Sequence, residues 1–511
     1  MMSDDGSCRS TVPQPRSVRR ALQAMQSNLG HPWSLAELAA IAGVSARTLQ
    51  RQFRSFLGSA PQAVLRDLGL AQARAELLQG ASGDTVADIA RRCGFAHAGR
   101  FSGTYRGRFG ETPSETLKRG TLLMGELAGA RAVPVRPRDR PRLAFGGVES
   151  AAEHAEMAEA IQDELVIALK RSGLDVITRS ETARYRMRAA LREDGVAARL
   201  LLQLFDQESG QLIWAQRVEG LRRFDPDACA QLVTRMVAAL QPQLRLAEID
   251  RAARKPDAEL TAHDLALRAL PGVLSLDAEG NARALDLLDR AMQLEPAHAL
   301  GTALAAWAHA QRVVYHFGSD NRADRARGLA LARQVGRSGA DATVLCALGN
   351  ALCLLDDLVT ADDVVARALV ADGGSAWAWS RSGWLEVYRG DAARAIERFQ
   401  IALDLAPQDP LAFNTMVGMG CAHFRLGNYL AAARWKQRAL LEHPSASWVH
   451  RTMSPAYMLA GATGEAVHSL QALRAAYPSL TVAEVQRGMP PLPDSYCSLV
   501  FEALSDAGLP A

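Results

Sequence analysis

Arg47, Gln50, Arg51 and Arg54 stand at i, i+3, i+4 and i+7, so a helix there carries all four on one side. Arginine and glutamine are the side chains that pair bidentately with guanine and adenine edges, so the chemistry on offer is the reading of duplex DNA. A solvated helix face would have the same composition. A second polar set follows in His97, Arg100, Thr104, Arg106 and Arg108. No catalytic set competes with these. The sequence has no Gly-x-x-x-x-Gly-Lys-Ser/Thr loop, no Gly-x-Ser-x-Gly elbow and no His-Glu-x-x-His. His443, His450 and His468 are spread out rather than gathered with acids at metal spacings. No enzyme, metal or cofactor is expected.

The elements that must position these residues are helical. Val18, Leu22, Met25 and Leu29 mark one apolar face. Ser34-Leu35-Ala36-Glu37 reads as a capping box opening a helix to about Ala42, Gly43 permits a tight turn, and Ser45 caps a helix over Ala46–Phe56. Leu38, Ile41, Val44, Leu49 and Phe53 are the expected shared core, which makes a helix-turn-helix. A long helix is expected over Gln62–Gln79. The outline then returns, with a short helix from Thr85, a turn at Cys93-Gly94-Phe95, and a helix over Ala98–Phe109 that aligns Phe101, Tyr105 and Phe109.

Two such units joined by one long helix resemble the AraC/XylS family of transcription regulators. The resemblance rests on Leu38-Ala39-Ala40-Ile41-Ala42-Gly43-Val44-Ser45-Ala46-Arg47-Thr48-Leu49-Gln50-Arg51-Gln52-Phe53, on Val86-Ala87-Asp88-Ile89-Ala90-Arg91-Arg92-Cys93-Gly94-Phe95, and on Phe109-Gly110-Glu111-Thr112-Pro113-Ser114. It covers about residues 17–120. It implies that two recognition helices enter successive major-groove segments. Arg47, Gln50, Arg51, His97 and Arg100 then fall at base-reading positions, and Arg54, Thr104, Arg106 and Arg108 at phosphates. The family usually has a basic residue where Gly103 stands and an aromatic where Val64 stands, and it carries its sensor before the DNA-binding unit rather than after it.

Charge supports that division. Residues 1–142 hold 21 Lys/Arg against 11 Asp/Glu, and residues 143–511 hold 37 against 44. A basic end on a nearly neutral chain is the footprint of phosphate contact. Seven scattered cysteines without a Cys-x-x-Cys, no apolar leader and no membrane-length apolar run point to the cytoplasm.

Arginines and prolines over 121–140 read as a semi-stiff linker. Residues 141–250 alternate as a small α+β domain. Leu202-Gln203-Leu204-Phe205-Asp206 and Gly210-Gln211-Leu212-Ile213-Trp214-Ala215 give it a resemblance to TolB-amino-terminal-like segments, which implies a spacer or docking role.

Beyond 258, Trp379, Gly383, Gly390, Ala395, Phe399, Ala402 and Pro407 occupy positions 4, 8, 15, 20, 24, 27 and 32 of a 34-residue unit, the tetratricopeptide (TPR) pattern. Closing prolines at 296, 407, 444 and 478 set about six helix pairs over 258–478, each burying its faces against its neighbours around a concave groove. Residues 479–511 are expected to cap the array, and residues 1–16 to form a disordered tail.

The expected fold class is mainly α: two helix-turn-helix units on a long helix, a small α+β domain and a TPR solenoid. The expected function is sequence-specific DNA-binding transcription regulation, with a protein or peptide signal received in the TPR groove. The alternative is a TPR adaptor that binds DNA only non-specifically. Double-stranded DNA is the expected partner and no membrane is expected. The sequence does not fix the oligomeric state.

Overall fold

The computed structural model describes residues 16–28, 30–31, 33–57, 60–79, 85–95, 97–109, 112–118, 140–178, 183–194, 197–221, 226–335 and 341–511. The expected tail and the Pro/Arg linker lie outside these residues, apart from Arg16 and Arg140. The chain divides into two compact units, residues 1–131 and 132–511.

The described residues of the first unit form seven helices: α1 (Arg16–Ser27), α2 (Leu35–Ala42), α3 (Ala46–Leu57), α4 (Pro61–Gln79), α5 (Val86–Arg92), α6 (Ala98–Phe109) and α7 (113–118). They enclose two separate cores. Val18, Met25, Leu38, Leu49 and Phe53 form one, and Leu70, Leu77, Ile89, Phe101 and Tyr105 form the other. Helix α4 serves both, lending Val64 and Leu65 to the first and Leu70, Ala73 and Leu77 to the second.

One expectation fails here. Ile41 is 41% exposed, and Ala39 and Ala42 occupy the core beside Leu38 instead. In an eight-residue helix only one narrow stripe is covered, and Ile41 lies beyond its edge.

The second unit opens with a five-stranded sheet of order β2-β1-β3-β4-β5, formed by β1 (Arg142–Glu149), β2 (Asp175–Ile177), β3 (Tyr185–Asp194), β4 (Ala197–Asp206) and β5 (Leu212–Leu221). The first three strands run parallel, and β3, β4 and β5 are antiparallel. Period-2 alternation puts Tyr185, Met187, Ala189 and Leu191 on the same buried face as Leu200, Leu202 and Leu204. Helices α8 (Ala155–Arg171) and α9 (Pro226–Arg254) cover that face.

No linker separates this sheet from the helical array. Helix α9 packs Met236, Leu240 and Leu244 under the sheet and continues to α10. Arg184, beside β3, and Tyr185 both bond Glu248 on α9, at 2.6 and 2.5 Å. Arg251 then bridges Glu248 and Asp264 at 3.2 and 3.1 Å, and Lys255 reaches Asp264 at 2.7 Å. Arg245 reaches Asp409, four pairs further on, at 3.2 Å, and lies 3.8 Å over the Trp377 ring.

Six antiparallel pairs follow: α10/α11 (Ala262–Leu274, Ala278–Leu294), α12/α13 (Ala299–Val314, Asn321–Val335), α14/α15 (Ala342–Leu354, Leu358–Ala371), α16/α17 (Ala376–Arg389, Ala392–Leu405), α18/α19 (Ala412–Arg425, Tyr429–Glu442) and α20/α21 (His450–Leu459, Thr463–Ala476). Then α22 (Val482–Arg487) and α23 (Asp494–Asp506) complete the chain, α23 against α20. The repeat logic is clearest at Phe399, which is fully buried. A Cβ on Gly383 would stand 2.5 Å from its ring, and one on Gly418 would stand 2.3 Å from it. Two glycines thus make the hole that one phenylalanine fills.

The groove departs from expectation. The array curls until the end of its fifth pair and the connection to the sixth meet the first pair: the Trp448 indole donates to Leu276 O at 3.0 Å, and His443 Nε2 lies 2.6 Å from Ser275 O. Arg451 donates to Val314 O, and the strand of chain at 488–492 lines the inner face. Inside the curl lies a cavity of ≈ 30 Å³, and a larger one of ≈ 330 Å³ lies where α9 meets α10 and α18.

Two outcomes test this packing. Gly418→Ala should lower stability by roughly 1–3 kcal/mol through overpacking, and Phe399→Leu should recover part of that in the double variant, read as Tm. Burial alone would raise the Asp264 carboxyl, but bonds from Lys255 and Thr261 and the Arg251 charge hold it below its usual value. A depressed pKa gives stability that is present above the ordinary carboxylate range, about 4, and is lost as pH falls below it. Tm should therefore drop between about pH 5 and pH 3, and less steeply in Asp264→Asn.

Candidate nucleic-acid interface

Each half of the first unit sets one polar helix face outward. In the amino-terminal half, Ser34 Oγ accepts from Glu37 N at 3.1 Å and Ser34 N donates to Glu37 Oε2 at 2.8 Å, closing the capping box that starts α2. Gly43 ends it at φ 69°, a left-handed conformation that disfavours a side chain. Ser45 Oγ then accepts from Thr48 N at 3.2 Å to start α3. Leu49 and Phe53 pin α3 to the core with no exposed surface. Their burial turns Arg47, Arg51 and Arg54 outward, all exposed, with Gln50 half-buried between them. Ser17 Oγ donates to Gln52 Oε1 at 2.7 Å and ties α1 to the same helix.

The second half repeats the device. Thr85 caps α5 with Asp88 N at 3.2 Å. Arg92 grips Glu76 of α4 at 2.8 Å, which locks α5 to the long helix. Burial and the Glu76 charge push the Cys93 thiol in the turn up to about 12, so it is a packing group and not a nucleophile. On α6, Phe101 and Tyr105 are fully buried, and the Tyr105 hydroxyl donates to the buried Thr116 of α7 at 3.0 Å. His97, Arg100, Thr104 and Arg106 are exposed as a result. The Arg108 side chain lies outside the described residues.

The faces of α3 and α6 are not equivalent. On α6 the Thr104 hydroxyl donates to Arg100 O at 2.8 Å, so it is left as an acceptor in this rotamer. Gly99, Gly103 and Gly107 follow at i, i+4 and i+8, and a Cβ on any of them would meet nothing within 4 Å. The polar face of α6 is therefore Arg100 and Arg106 beside a bare strip, where α3 presents a continuous Arg/Gln row. Among the described residues no group of three or more His, Cys, Asp or Glu side chains could hold a metal ion.

A helix-turn-helix domain family model matches residues 38–119, the span that holds both faces. The probable thc operon regulatory protein of Rhodococcus erythropolis is 38% identical over 105 residues, 20% of this chain and 32% of that protein. Residues 38–119 are an AraC-type helix-turn-helix domain. A crystal structure of a probable AraC family transcriptional regulator from Rhodopseudomonas palustris CGA009 is 36% identical, over 20% of this chain and 96% of that one, with a TM-score of 0.20. The chain spans about a third of the length of the first curated relatives it matches. A tetratricopeptide repeat protein from Parabacteroides merdae covers 48% of this chain and 93% of its own at 15% identity, with a TM-score of 0.28. No described helix is long and apolar enough to cross a membrane.

The open space at Gly103 generates a gain-of-function outcome for the AraC-type domain. Gly103→Lys should fold, with a helix-propensity gain of roughly 0.5–1 kcal/mol. If α6 faces DNA it should also steepen the salt dependence of binding by about one phosphate contact. An unchanged slope in a salt titration would place α6 away from the duplex.

Proposed function

We propose that this protein is a sequence-specific DNA-binding transcription regulator whose helical array receives the signal. The observation that carries the reading is the outward Arg47–Gln50–Arg51–Arg54 row, fixed by the burial of Leu49 and Phe53 in an AraC-type domain. Arg47, Gln50 and Arg51 read bases from α3. His97 and Arg100 contribute readout from α6. Arg54, Thr104, Arg106 and Arg108 hold phosphates. Phosphate contacts position a protein on the duplex while base contacts specify the site, so the two sets serve different ends.

The signal enters through the array as a protein or peptide partner. That partner docks in the groove of the array. The sheet acts as the fixed base of the array, a role compatible with the TolB-like spacer reading. The alternative, a TPR adaptor with only non-specific DNA binding, draws on the bare strip of Gly99, Gly103 and Gly107.

Footprinting the full chain on its own upstream region is the test. A regulator protects two adjacent major-groove segments about 10 bp apart, with affinity that falls steeply with salt. An adaptor gives no discrete footprint. Arg51→Ala should cost roughly 1–3 kcal/mol at one preferred base and relax specificity there, whereas Arg106→Ala should weaken all sequences alike. Equal, uniform losses in both variants would remove base reading from Arg51.

A further inference from the structure

The interior of the curled array holds two arginines without counter-charges. Arg381 on α16 and Arg451 on α20 are 5% and 4% exposed and line the same cavity. Arg381 bonds Asn350 Oδ1, Asn414 Oδ1 and Ser380 Oγ, all neutral acceptors. Arg451 donates to Val314 O at 2.8 Å, to His316 Nε2 at 3.3 Å and to Gly488 O at 3.5 Å. Its own Nε is buried with no hydrogen-bond partner. His316 adds no further positive charge, because burial and the Arg451 charge push it down to about 4 and leave it a neutral acceptor. Lys436, fully buried, adds a third cation, which donates to the carbonyl of Thr452 on the cavity wall at 3.0 Å. Among the described residues no carboxylate pairs with any of the three.

This arrangement is costly for a fold to maintain for stability alone. A buried charge without an opposite partner carries a desolvation penalty of several kcal/mol, and an apolar residue of similar volume commonly serves packing better. Elsewhere the same unit pairs its buried cations with acids, as in Arg251 with Glu248 and Asp264. The guanidinium is also the donor whose planar fork fits the two oxygens of a carboxylate or phosphate. The cavity measures ≈ 30 Å³. That is room for about two waters, or the oxygens of one small anion. Trp384 and Trp448 stand in its walls, and Trp384 lies under Arg381.

We infer that this cavity is a binding site for a small oxyanion, the carboxylate or phosphate type, held between Arg381 and Arg451. The anion supplies the missing charge, accepts from the orphaned Arg451 Nε, and ties α16 to α20 and to the segment at 488–492. Binding of this kind does not depend on the DNA-binding reading, and it gives the array a small-molecule input distinct from a docked protein.

The test uses the full chain with inorganic phosphate and formate as probes, which separate the two oxyanion types, and chloride at matched ionic strength as control. Calorimetric titration should show saturable binding of at least one probe in the millimolar range or below. The same probe should quench or shift tryptophan emission and raise Tm by a few degrees at saturation. Arg381→Met should lose the saturable heats while folding normally, and any residual Tm gain in it measures general salt exclusion. Arg381→Lys, which keeps the charge and not the fork, should bind more weakly than wild type. Absence of saturable heats for both probes in the wild type overturns the inference. So does a Tm response in Arg381→Met equal to that of wild type.

Discussion

The second unit depends on a run of alternating charges buried along α9. Arg184, Glu248, Arg251, Asp264 and Lys255 follow one another from the edge of the sheet to the first helix of the array. Each carboxylate is almost fully covered and each is satisfied from two sides. Removing one member strips a buried neighbour of one of its two partners, which costs more than the lost pair itself contributes. The sheet therefore acts as the rigid end-plate of the array, and Arg245 with Asp409 and Trp377 repeats the attachment further along. A truncation placed between residues 250 and 258 would cut through this run. The division that respects the packing lies near residue 131.

In the first unit the corresponding constraint is α4. Its nineteen residues give side chains to two cores that otherwise share none, so the spacing of α3 and α6 is set by the rigidity of one helix. Gly43 and the Ser34 box decide the angle of α3, and the Arg92–Glu76 pair decides that of α5. Helix faces positioned this way are indifferent to most changes among their exposed residues, which leaves those faces open to variation.

Much of this was legible in the sequence where a local rule sufficed. Capping boxes, the glycine turn and the i, i+3, i+4 spacing of Arg47, Gln50 and Arg51 are short-range signals, and the elements they mark are present. Alternation over residues 141–250 marked the small α+β domain in which the sheet lies. Ile41 was misassigned because apolar character does not say which side of a short helix is covered. The curl of the array was not legible, since it depends on small angles summed over six pairs. The buried arginines were invisible for the same reason: Arg381 and Arg451 read as ordinary helix residues until the curl brings them together. Phe399 and its two glycines lay between these cases, marked by the repeat pattern but explained only by distances to the ring.

The ring closure also bears on how the chain reaches this state. Bonds between Ser275 and His443 and between Leu276 and Trp448 span 168 and 172 residues. In an open solenoid every contact is local, so folding can start anywhere and spread, and the ends can fray without disturbing the middle. Here the first pair stays without its final partners until residues 443–448, beyond the fifth pair, exist, so during synthesis the earliest helices wait longest for their last contacts. Joining distant segments raises the contact order, which slows the final step, and once joined it makes the first and fifth pairs unfold together.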